Sequence, residues 1–110
     1  MKLLSALLII PVLLAVPVAH PAGVPLGTLQ GVVVDAHGKA VAGATVTIQT
    51  SDGQHPHATR TDAHGRFEFA RFETGQYDLR AYWRGAYSDW AKRVVIHAHK
   101  PTQISLQIKP

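Results

Sequence analysis

The stretch Gly31-Val-Val-Val-Asp35-Ala-His-Gly38-Lys-Ala-Val-Ala-Gly43-Ala-Thr-Val-Thr-Ile48 decides the fold. Two β-rich runs flank a turn, and the segment reads as a β-hairpin. The tetrapeptide Asp-Ala-His-Gly returns at Asp62 to Gly65, again between β-rich runs. In each copy the Asp carboxylate accepts a hydrogen bond from the backbone N–H two residues on, which nucleates the turn. Gly38 and Gly65 fill the position that needs a positive φ, predicting a type I turn closed by a glycine bulge. The flanking strands differ, so the two copies reflect shared turn chemistry and not an internal repeat.

Outward from these turns, seven short β runs follow one another at sandwich spacing. They cover Leu29 to Val34, Ala44 to Thr50, Ala58 to Thr61, Arg66 to Phe69, Tyr77 to Trp83, Ala91 to Ile96 and Thr102 to Ile108. Ala44, Val46 and Ile48 alternate with Thr45, Thr47 and Gln49, a period of two that turns one face inward. The same alternation places Phe67 with Phe69, Tyr77 with Leu79 and Ala81, and Ile104 with Leu106 and Ile108. Phe72 is expected to cap the core. Gly85 and Ala86 are read as a break after the fifth run. No window has a helical period, so the chain is read as all-β. The expected core is Val46, Ile48, Phe67, Phe69, Leu79, Ile104 and Leu106.

Upstream of the strands, Met1-Lys2 precedes an apolar run without charge that contains Pro11 and reaches Pro17. One positive charge followed by a short apolar run is the layout of a secretory signal peptide, read over residues 1–22 with cleavage near Ala19 or Ala22. The prolines oppose a stable spanning helix, so no transmembrane helix is expected in the mature form. An uncleaved N-terminal anchor is the alternative. Residues 23–28 are expected to be a flexible lead-in, and 29–110 the folded domain. The expected location is periplasmic or secreted. There is no Cys, so the core alone must stabilise the domain. The formal net charge is +4, spread without a basic stripe, which speaks against nucleic-acid binding.

Together these residues resemble the carboxypeptidase regulatory-like domain, a transthyretin-like (prealbumin-like, Ig-like) seven-strand β-sandwich grouped with carbohydrate-binding-like folds. The matching signature is Gly31-x-Val33-x-Asp35-x-x-Gly38-x-x-Val41-x-Gly43-Ala44-x-Val46. It continues through Thr61-Asp62-x-x-Gly65-x-Phe67-x-Phe69, Gly75-x-Tyr77-x-Leu79 and Gly85-x-Tyr87. The resemblance implies an accessory module, not an enzyme. The wider transthyretin-like family includes 5-hydroxyisourate hydrolase, whose site carries a C-terminal Tyr-Arg-Gly-Ser. Here the chain ends Ser105-Leu-Gln-Ile-Lys-Pro110, and Tyr82-Trp-Arg-Gly85 stands in the wrong place.

Two sets of residues are candidates for binding. Tyr82, Trp83, Arg84, Tyr87, Trp90 and Arg93, with Arg80 and Lys92 interleaved, mix rings and cations in the manner of interfaces. They are expected at one end of the sandwich, beside His37 and His64. The bland reading is that Tyr87 and one Trp close the core. The second set, His55 with His57 and His97 with His99, is expected at the opposite end. Paired imidazoles suit copper or zinc, against the reading of solvated loop histidines. No catalytic set and no cofactor motif emerges. The expected function is a non-enzymatic module binding a protein or envelope partner. Carbohydrate binding through Trp83 and Trp90 is the alternative, and metal binding through the histidines a weaker one.

Overall fold

In the computed structural model the described residues are 23–110. The signal peptide read over 1–22 lies outside them. Eight strands run in order: β1 (Leu26–Val34), β2 (Thr45–Thr50), β3 (His57–Arg60), β4 (Arg66–Glu73), β5 (Gly75–Trp83), β6 (Ala86–Tyr87), β7 (Ala91–Ile96) and β8 (Thr102–Gln107). They form a three-stranded sheet, β4-β1-β8, packed on a five-stranded sheet in which β3-β2-β5 continues to both β6 and β7. β1 is antiparallel to β4 and parallel to β8.

The inward residues of the alternating runs make the core. Leu29, Val33, Val46, Ile48, Phe67, Phe69, Leu79, Ile96 and Leu106 are all buried. Each such side chain contributes about 1.5 to 3 kcal/mol relative to exposure. Of the expected core only Ile104 is half-buried, packed against the cluster from β8. Phe67, Phe69, Phe72 and Tyr77 meet edge-on in a chain, with successive ring centroids 6.0, 5.4 and 5.9 Å apart. Phe72 joins it through a bulge. Leu29 pairs with Phe69 and Gly27 with Phe72, so β4 carries an extra residue, and Arg71 takes φ 62°. That extra residue restores inward orientation three positions after Phe69.

Both Asp-Ala-His-Gly turns form as expected and share one geometry. Asp35 Oδ1 accepts from the N–H of His37 at 2.8 Å and of Lys39 at 3.0 Å. Asp62 Oδ1 accepts from His64 at 2.8 Å and Arg66 at 2.9 Å. Gly38 and Gly65 take φ 81° and 74°. These backbone N–H bonds, foremost those from Lys39 and Arg66, hold both carboxyls below the usual carboxylate range.

The turns do not close hairpins. β1 and β2 lie in different sheets, as do β3 and β4, so each turn starts a passage across the sandwich. After Val34 pairs briefly with Ala40, the chain crosses at Val41 to Ala44. Buried Thr61 clamps the two crossings. Its Oγ1 accepts from Ala44 N–H at 2.8 Å and donates to the Val41 carbonyl at 2.6 Å.

Two further expectations are corrected. The lead-in is not loose throughout, since Leu26 and Gly27 pair with Glu73 and Phe72. A side chain at Gly27 would collide with the His97 carbonyl, so glycine lets β1 reach this far. The strand count is eight, not seven. The break expected at Gly85 is a two-residue hairpin in which Trp83 pairs with Ala86. Arg84 and Gly85 take φ 47° and 81°, the paired positive values of a type I′ turn.

Candidate functional site

Cross-strand register arranges the outward face of the five-stranded sheet in rows. Arg60 pairs with Thr45, Thr45 with Tyr82, and Tyr82 with Tyr87. The next outward row sets Ala58 beside Thr47 and Thr47 beside Arg80. Arg80 therefore stands between rings. Its guanidinium carbon is 4.1 Å from the Tyr87 ring centroid and 4.5 Å from that of Trp90. Tyr82 leans on Tyr87 with centroids 4.9 Å apart. Such cation–π contacts contribute about 0.5 to 1 kcal/mol each at exposed sites. Tyr82 and Tyr87 stay 40% and 46% exposed, more than their packing requires.

The backbone builds this cluster from two anchors. Ser88 Oγ accepts from Ala81 N–H at 2.8 Å and donates to the Asp89 carbonyl at 2.9 Å. This holds Trp90 beside Arg80. Asp78, only 8% exposed, is the second anchor. Its Oδ1 accepts from Arg93 N–H and from Ser51 Oγ, both at 2.9 Å. It fixes a bulge in β7, where Tyr77 pairs with Val94 but Leu79 with Ala91, and Arg93 takes φ 56°. The Arg93 N–H bond, then the Ser51 hydroxyl and the charges of Lys92 and Arg93, hold the Asp78 carboxyl low against the opposing effect of burial.

The six aromatic and cationic candidates thus divide between two places. Tyr82, Tyr87 and Trp90 gather around Arg80 on the sheet face, and Arg93 lies on the β7 bulge of the same sheet. Trp83 instead packs half-buried against the core, with Arg84 over its ring at 4.6 Å. Trp83 and Arg84 line a separate cleft at the sandwich end with Asp35 and His37. The expectation that all of Arg84 to Trp90 would join His37 at one end is corrected. The β5–β6 hairpin folds the chain back along β5, carrying Tyr87 and Trp90 off the end. Arg80 is the centre that the sequence reading treated as background. Its signal was its parity with Tyr82 on β5. Asp78 carries no such signal, since alternation with Tyr77 and Leu79 places it on the outward face, and its burial comes from the Ser51 loop and the β7 bulge.

The histidines also divide. His55 and His57 line a cleft of about 380 Å³ with Arg71, Phe72 and Tyr77, and the His57 ring meets Phe72 edge-on at 5.2 Å. His97 and His99 line another, of about 260 Å³, beside Leu26 and Gly27. Among the described residues no three His, Cys, Asp or Glu side chains come together as a metal-holding group. The largest cleft described, about 680 Å³, runs between the β3 edge of this sheet and the three-stranded sheet and carries Arg60, Asp62, Arg66 and Glu68, a mixture of both charges.

The same arrangement of strands recurs in solved structures. GBS52, the minor pilin of Streptococcus agalactiae, superposes with TM-score 0.67 at 19% identity over 77% of this chain and 44% of its own. BcpA, the major pilin subunit of Bacillus cereus, gives 0.61 at 14% identity over 77% of this chain and 30% of its own. A candidate carbohydrate-binding protein of Pseudomonas aeruginosa gives 0.53 at 14% identity over 76% of this chain and 89% of its own. The chain thus spans less than half of either pilin, and identities this low show the fold alone. No curated protein sequence matches significantly. At the level of sequence, residues 28–109 match the carboxypeptidase regulatory-like domain, and the chain belongs to that family.

Proposed function

We propose that the chain is an exported, non-enzymatic accessory module of the cell envelope that binds a protein partner. The observation that supports it is the exposed cluster of Arg80, Tyr82, Tyr87 and Trp90 on a rigid sheet. Folding does not require these rings to remain in water, and interfaces are enriched in Tyr, Trp and Arg. The family and the pilin-type fold agree with an accessory role. Capture from envelope extract tests the reading. The chain should retain a partner that the Tyr82→Ala/Tyr87→Ala double variant, still folded by circular dichroism, releases. Retention by both would remove this face as the site. Export is tested by mass spectrometry. A product starting near residue 20 or 23 is expected, and a mass starting at Met1 would favour an anchored form.

The likeness to the candidate carbohydrate-binding protein, spanning most of that chain, favours carbohydrate binding as the second reading. A glycan array separates the two readings. Selective glycan retention that depends on Trp90 would replace the first by the second.

A further inference from the structure

We infer that the outward face of the five-stranded sheet receives a carboxylate-bearing, extended segment of a protein partner, with the Arg80 guanidinium as its anchor. The inference rests on the protein-binding reading above and names the chemistry of the partner.

Arg80 is prepared for an anion. Contact with the Tyr87 and Trp90 rings restrains the guanidinium without consuming its N–H donors. A planar fork restrained in this way matches a carboxylate and loses little freedom on binding one. Among the described residues the one salt bridge is Lys109 to Asp89 at 3.6 Å, and no carboxylate pairs with Arg80.

The surroundings are predominantly basic. Arg60 stands in the neighbouring outward row, and Lys92 and Arg93 sit on the β7 bulge. Of the nearby carboxylates, Asp78 is buried and engaged by Ser51 and Arg93, Asp89 beside Trp90 is paired with Lys109, and Asp62 in the cleft with Arg60 is held by turn N–H groups. An acidic partner is therefore attracted and a basic one repelled. The shape suits an extended chain. Thr45, Thr47 and Ala58 are small residues lying beside the taller ridge of Arg80, Tyr82 and Tyr87.

Two other occupants fit less well. A sugar ring stacks on an open aromatic face, yet each Trp already has a guanidinium over its ring, Arg80 on Trp90 and Arg84 on Trp83. A second copy of this chain offers Glu68 and Glu73 as its exposed acidic side chains, while its five Asp carboxylates are engaged. Asp35 and Asp62 are held by turn N–H groups, Asp52 by Thr50, Asp78 by the bulge and Asp89 by Lys109. Two copies would also each bring a formal charge of +4.

The test titrates the full chain with an oligoglutamate peptide, an oligoglutamine peptide and an oligoglucuronate, following tryptophan fluorescence. Oligoglutamate is expected to bind, more weakly as salt rises, and oligoglutamine is not. Arg80→Gln should weaken oligoglutamate binding about tenfold or more, the loss typical of a charged hydrogen-bonding group. Arg80→Lys should restore it only in part, since an ammonium lacks the stacked fork. Circular dichroism checks that both variants are folded. Equal oligoglutamate binding by wild type and Arg80→Gln overturns the inference, as does no oligoglutamate binding at all. Binding of oligoglucuronate in preference to the peptide overturns it in favour of an acidic saccharide. Capture from envelope extract separates its failure from that of the underlying reading. A protein held equally by wild type and Arg80→Gln sinks the carboxylate anchor and leaves the module standing. Capture of no protein by the wild type sinks the module reading itself.

Discussion

The outward face of the three-stranded sheet carries Gln30, Arg66, Glu68 and Gln103, with Gln103 Nε2 donating to Gln30 Oε1 across the strands at 3.2 Å. The outward face of the five-stranded sheet carries Trp90, Arg80, Tyr87 and Tyr82 in a chain of successive contacts. Both sheets feed the same core, so the contrast owes nothing to folding. Solvated polar residues are the default for an outward strand position. An exposed aromatic and cationic group is the departure, and it marks the face where recognition is to be sought. The largest cleft described runs along the other sheet to the β3 edge, where charges of both signs are mixed. Chemistry and cleft size point to different places here, and chemistry is the better guide because interfaces are enriched in Tyr, Trp and Arg and depleted in Asp and Glu.

Substitution in the shared core should erase the contrast altogether. Phe67 is buried over Gly31, whose missing side chain makes room for the ring. Phe67→Ala should cost about 3 to 5 kcal/mol, which is a large fraction of a small domain's stability. Chemical denaturation checks it, and a midpoint close to that of the parent would contradict the core described here.

Next in size is a substitution that strikes one face only. Asp78→Ala leaves the Arg93 N–H and the Ser51 hydroxyl without their acceptor, at an expected cost of about 1 to 3 kcal/mol. Glu68→Ala on the opposite face should stay within about 0.5 kcal/mol. Equal effects in denaturant melts would show that the bulge is not pinned as described.

A smaller and graded effect should come from acid. The carboxyls of Asp35, Asp62 and Asp78 all lie below their ordinary value in the folded chain, chiefly through backbone N–H bonds. Their contribution is therefore complete above the unfolded value near about 4 and is lost as pH falls through the lower folded values. The melting temperature should be level between neutrality and about pH 5, then fall. Asp78→Asn should make that fall shallower, and an unchanged acid slope in this variant would assign the effect to the exposed loop and turn aspartates, Asp35, Asp52 and Asp62.

The smallest expected effect is a gain. Arg84 occupies φ 47° in the β5–β6 turn, which costs an ordinary side chain about 1 to 2 kcal/mol. Arg84→Gly removes that strain and adds chain entropy to the unfolded state, for a net gain of about 0.5 to 1 kcal/mol. A lower melting temperature would mean that the Arg84 contact with Trp83 outweighs the strain.

Much of this protein is legible in its residues. Asp35 with Gly38 and Asp62 with Gly65 specify their turns through bonds that span at most four positions. Val46 with Ile48 and Phe67 with Phe69 specify inward faces, because strand alternation is a local property. These features led to the family and to the sandwich. The partition of strands between sheets was not legible. The segment from Gly31 to Ile48 has the local pattern of a hairpin, yet β1 and β2 part company because Thr61, far along the chain, captures Ala44 and Val41.

The candidate site divides along the same line. Sequence alone supplied the stock of rings and cations between Arg80 and Arg93, and it located glycine and arginine at the point where β5 ends. Tertiary structure decided which of them meet. The type I′ turn sends β6 back along β5, Ser88 locks onto Ala81, and Asp78 bulges β7, so Arg80 falls between Tyr87 and Trp90 while Trp83 turns to the core. Turn chemistry and alternation act over a few residues and can be read in order. Register across strands depends on contacts between distant segments, and those exist only once both sheets have closed on one core.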